Sequence, residues 1–207
     1  SSGARTFNIG NGAAAVDLTV TAPLTDGTAV TSGLTKTGAG TLALTSANTY
    51  SGNTTISAGT LTLSASGTFD NSPVINLGTA GSQGTLDLTS KSSFAFGVGQ
   101  TLSGYGTINI GAGKLITING NLAPGNSPGL LTITGDTALT GTTTTTMELA
   151  GKVTPGTDYD KTSVSGALTF AGTLNIVSFG GYDIAQAGTY DLFGFASQSG
   201  NFSLVSV

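Results

Sequence analysis

The chain has 207 residues, of which only 8% are charged, against about 25% in an ordinary soluble domain, and its net charge is −4. Its six basic residues, Arg5, Lys36, Lys91, Lys114, Lys152 and Lys161, are scattered, which excludes the clustered positive charge that nucleic-acid binding needs, and no apolar run is long enough for a membrane-spanning helix. With no His and no Cys, histidine-dependent triads, thiol nucleophiles, disulfides and zinc-thiolate sites are excluded too.

Low charge together with 38% hydrophobic residues argues for a folded chain, because disorder goes with low hydrophobicity and high charge. Gly, Thr and Ser penalise helix in nearly every window, and no stretch has helical apolar spacing. A strand-like phrase recurs instead. It reads Gly40-Thr41-Leu42-Ala43-Leu44, then Gly59-Thr60-Leu61-Thr62-Leu63, Gly84-Thr85-Leu86-Asp87-Leu88 and Gly106-Thr107-Ile108-Asn109-Ile110. A looser copy stands at Gly129-Leu130-Leu131-Thr132-Ile133 and a last one at Gly172-Thr173-Leu174-Asn175-Ile176. The leading glycines step by 19, 25, 22 and 23 residues, then by 43, or two steps. Between the phrases lie further short strands at residues 54–57, 74–77, 114–118 and 167–170, and a longer β-branched one at 142–149.

Within each phrase the two aliphatic residues alternate with a small or polar one, so they share a face. The aliphatic pairs would stack rung on rung inside a solenoid, with Ala43, Thr62, Asp87, Asn109, Thr132 and Asn175 facing solvent. The pattern predicts an all-β parallel β-helix of roughly 20–25 residues per coil, one continuous solenoid over 1–207. It is most regular at 33–134 and ends in an aromatic-rich, less regular part at 179–207. Asn11-Gly12 and Asn119-Gly120 suit hairpin turns and leave an antiparallel sandwich or barrel as the alternative.

The stretch from Gly33-Leu34-Thr35-Lys36-Thr37-Gly38-Ala39-Gly40-Thr41-Leu42 through Asn48-Thr49-Tyr50-Ser51-Gly52 to Ala58-Gly59-Thr60-Leu61 resembles the autotransporter-associated β-strand repeat. The turn Leu122-Ala123-Pro124-Gly125-Asn126-Ser127-Pro128-Gly129 and the segment Tyr159-Asp160 with Val164-Ser165-Gly166 resemble other parts of the same passenger proteins. The resemblance implies a right-handed parallel β-helix in a large extracellular or cell-surface bacterial protein, with the repeat as scaffold. It does not imply one activity.

Chemistry-bearing residues are few. Asp158 and Asp160 form the best local carboxylate pair, on one side of an extended segment with Tyr159 opposite; they read as a polar turn, with catalysis or a calcium site as alternatives. Lys36 is expected to lay its stem along the coil surface, and Tyr50 and Tyr105 to pack at coil corners or serve as glycan platforms. Gly38 and Gly40 lack the following helix that a phosphate loop needs. No catalytic residue, metal or cofactor is assigned. The reading is a non-enzymatic structural or adhesive segment whose partners are adjoining coils of the same or a neighbouring copy, with a host surface or glycans as further candidates. The alternative is a polysaccharide-binding or polysaccharide-cleaving β-helix. Residues 1–9 and 202–207 are strand-like and share one charge, Arg5, so both ends are expected to be covered, by adjoining sequence or by the next copy in a head-to-tail filament.

Overall fold

The computed structural model describes residues 3–28, 30–125, 127–185 and 188–207, and the described residues contain no helix. Short strands lie on three faces and stack in parallel from one rung to the next. The first face carries nine strands: Arg5–Asn8, Leu34–Thr37, Thr54–Ile56, Val74–Asn76, Thr101–Gly104, Asn121–Pro124, Thr144–Leu149, Thr173–Ser178 and Leu204–Ser206. The second runs through Leu18–Val20, Thr41–Leu44, Gly59–Leu63, Ser82–Asp87, Gly106–Asn109, Leu130–Thr134, Lys161–Val164 and Phe193–Gly194. The third holds five, Ser93–Phe96, Leu115–Ile118, Asp136–Leu139, Ala167–Phe170 and Ser197–Gly200, and so begins only part-way along the stack. The fold is a parallel β-solenoid. Its one antiparallel strand pair among the described residues joins Gly78–Thr79 to Ser82–Asp87. Nine rungs at a strand spacing of about 4.8 Å make a stack on the order of 40 Å long.

The aliphatic ladder lies inside, apart from Leu18 on its first rung, which is 37% exposed. Leu18, Leu42, Leu61, Leu86, Ile108, Ile133 and Val164 are paired in register down the second face. Their steps are 24, 19, 25, 22, 25 and 31 residues, so the perimeter widens after Ile133 while the rise per rung is fixed by the backbone ladder. Leu42, Leu61, Leu86, Ile108 and Ile133 are fully buried. Phe94, Ile116, Thr137 and Leu168 form the matching file on the third face. Gly59 shows why glycine leads the phrase. Its φ is 66°, and a Cβ there would sit 2.4 Å from the Gly40 carbonyl oxygen of the preceding rung.

Four expectations change. The phrase at 172–176 lies on the first face, where Leu174 stacks between Thr145 and Val205, and the second-face ladder continues through Thr162 and Val164 instead. The phrase encodes a corner followed by an alternating strand, and each face needs one. The copy at 129–133 is shifted by two, with Ile133 rather than Leu131 opposite Ile108; a two-residue shift keeps every side chain on its proper face. Ala43 is buried, in register between Thr19 and Thr62. Asn119-Gly120 turns a corner of the coil, with the Asn119 backbone and side-chain amides both donating to Phe96 O, so it closes no hairpin.

Candidate functional site

Lys36 alternates inward with Leu34 and stacks between Phe7 and Ile56, so it lies inside the solenoid and not along its surface. It is fully buried, and its ammonium donates to the carbonyls of Thr37 (2.8 Å), Gly38 (2.7 Å) and Ala58 (3.1 Å), the last on the next rung. Burial lowers its pKa, opposed by the charge of Asp17. Lys91 repeats the device: its ammonium donates to Ala65 O at 3.1 Å and Gly67 O at 2.8 Å, one rung back, and lies 5.7 Å from the Phe94 ring centroid. Lys114 reaches Thr89 O in the same way.

Asn48 ties three rungs together. Its side chain accepts from Leu24 N at 2.9 Å and donates to Thr68 O at 2.8 Å. Tyr50 is wholly buried, so it is no platform; its hydroxyl meets that of Thr54, which donates to Ser72. Burial pushes the Tyr50 phenol up to about 12. Tyr105 is half-buried at a corner, packed over Gly156.

Asp158 and Asp160 do not form a carboxylate pair. The chain leaves the first face at Leu149, makes an excursion whose tip Val153 is 82% exposed, and returns with Ala150 N donating to Asp158 O and Asp160 N to Glu148 O. Asp158 serves that excursion, accepting from Val153 N (3.0 Å) and Thr154 N (2.9 Å). This is the polar turn. Asp160 turns inward together with Tyr159, and its two oxygens accept from Gly129 N at 2.7 Å and Glu148 N at 2.8 Å. Desolvation pushes its pKa up to about 7 against the pull of those two amides, and the Glu148 charge adds to the rise. Glu148, the chain's one glutamate, was not singled out by the sequence; it faces outward on its strand and lines, with Asp160, Ser127 and Ser103, a cavity of about 170 Å³. Asn126 of the adjoining turn lies outside the described residues. Among the described residues no cluster of carboxylates is suited to hold a metal ion.

A larger groove, about 590 Å³, lies where the third face begins. The rung before Ser93–Phe96 crosses this side as an irregular segment from Ala65 to Asp70, and the change from segment to strand leaves a ledge. Phe94 forms part of its wall and is packed edge-on against Phe69 (5.8 Å) and Phe96 (5.1 Å).

Neither a curated protein nor a solved structure matches the chain. A family model does match over 34–69, the stretch that holds Lys36, Asn48, Tyr50 and Gly59. Lys36 and Asn48 each join one rung to the next, and over 34–69 the chain carries a match to the passenger-associated-transport-repeat.

Proposed function

We propose that the chain is a segment of an autotransporter passenger domain and acts as a rigid, non-enzymatic stalk that carries an adhesive surface outward from a bacterial cell. The observation that carries this reading is where the chemistry-bearing side chains go. Lys36, Lys91, Asn48 and Asp160 are all consumed in hydrogen bonds that join one rung to another, so length and stiffness are what the chain invests in. The repeat over 34–69 supports placement outside the cell, since the family implies a secreted or surface-exposed protein.

Purified protein should resist a broad-specificity protease at 37 °C and show no turnover of pectin, alginate, xylan or peptidoglycan. Rapid digestion of the stack would refute the stalk. A second reading, polysaccharide cleavage, is favoured by the Asp160 and Glu148 carboxylates on one cavity. Turnover lost in both Asp160→Asn and Glu148→Gln would establish it in place of the first.

A further inference from the structure

The ledge at the start of the third face gathers several uncommitted hydroxyls into one concavity. Some outward Ser and Thr side chains of the stack donate to carbonyls of the neighbouring rung: Ser46 to Thr21 O, Ser82 to Ser57 O, Thr142 to Asn119 O and Ser203 to Gly172 O. Along the groove, Thr68, Ser90, Ser92, Ser93 and Thr117 make no side-chain hydrogen bond among the described residues, and the exposed Asp70 carboxylate accepts none. Five hydroxyls and a carboxylate therefore line one concavity with their hydrogen-bonding capacity unspent. The remaining wall is apolar, made by Ala65, Ala95, Leu115 (41% exposed) and the uncovered part of the Phe94 ring.

The same residues narrow the ligand. An anion meets no free cation among the lining residues, because the ammonium of Lys91 is held by the Ala65 and Gly67 carbonyls and feels the charge of Asp70. An extended peptide is disfavoured at the edge of Ser93–Phe96, where the Phe69 ring of the preceding rung is already packed on Phe94 with centroids 5.8 Å apart. A ligand with adjacent hydroxyls on one side and C–H faces on the other fits both walls. Its hydroxyls donate to Asp70 and exchange bonds with the Ser and Thr side chains, while its C–H faces lie on Phe94 and Leu115. A volume of about 590 Å³ lies within the range of small-ligand sites, about 300–1,000 Å³.

We propose that this groove binds a neutral oligosaccharide, with Asp70 holding adjacent hydroxyls and Phe94 with Leu115 supporting the sugar face. The proposal deepens the adhesive half of the reading above, and it is tested separately from the stalk.

Maltotriose, cellotriose and N,N′,N″-triacetylchitotriose are titrated into the whole chain and followed by calorimetry and by saturation transfer to the sugar protons, with a hyaluronan tetrasaccharide as the anionic comparison. At least one neutral trisaccharide binds. Asp70→Asn and Leu115→Arg, both at exposed positions, each weaken it about tenfold or more, while Val153→Ser on the remote excursion leaves it unchanged. No binding by any neutral sugar, binding indifferent to both groove variants, or tighter binding of hyaluronan overturns the proposal. Protease resistance is read on the same samples: if it persists without sugar binding, the groove assignment fails and the stalk stands.

Discussion

Truncating one inner leucine tests the whole ladder. Leu61 is fully buried and sits in register between Leu42 and Leu86, each held in place by its own strand pairing. Leu61→Ala removes three carbons, worth about 0.8 kcal/mol each in lost transfer free energy, or about 2.4 kcal/mol. The neighbours cannot close the gap, because their spacing is set by the backbone ladder and not by side-chain contact. A cavity term is therefore added, which takes the expected loss to about 4 kcal/mol, inside the range of about 2.7–5.0 kcal/mol measured for buried Leu→Ala changes. Leu115→Ala, at a site 41% exposed, is the control and should cost less than about 1 kcal/mol. Urea unfolding followed by far-ultraviolet circular dichroism gives both values. A Leu61→Ala midpoint within about 1 kcal/mol of the parent, or equal losses in the two variants, would refute the interior placement.

Two further outcomes follow from the buried ionisable groups. Lys36→Met leaves the carbonyls of Thr37, Gly38 and Ala58 without their donor but spares the desolvation of an ammonium, for a net loss of about 1–3 kcal/mol in the same urea assay; a surface lysine would lose nothing measurable. Asp160, with its pKa raised from 3.8 to about 7 by burial, keeps its proton in the folded state at pH values where the unfolded chain has lost it. The stability this contributes is complete below about pH 4 and is lost as pH rises through about 7, so the melting temperature falls across that window. Asp160→Asn flattens the fall, and an unchanged pH profile in that variant would assign the slope elsewhere.

The ladder was legible because alternation of period two and a corner glycine are local signals, repeated often enough to show their spacing. What the phrase does not specify is which face it occupies, and the copy at 172–176 went to the first face after the excursion at 150–158 lengthened its rung. Lys36 was misplaced because an inward lysine is acceptable only with acceptors at the corner, and one of these, Ala58 O, is 22 residues away in sequence. The partnership of Glu148 with Asp160 spans an excursion that brings the two strands of a corner together, and nothing local marks it. The groove was the least legible feature. It depends on the rung at which a third strand first forms, which no motif in the repeated phrase marks.

Because every strand crosses the long axis, the backbone hydrogen bonds between rungs run along it. Tension applied at the two ends therefore loads those bonds one rung at a time, as in opening a zipper, and does not shear a whole sheet at once. Such a stack gives way in steps, each releasing the slack of one rung, 19 residues at the tightest turn of the second face and 31 at the widest. Asn48, which holds three successive rungs with one side chain, makes the repeat at 34–69 a place where opening must break several links together. The girth of each rung thus sets how much chain is paid out under load, while the rise per rung, and with it the reach of the unloaded rod, stays the same.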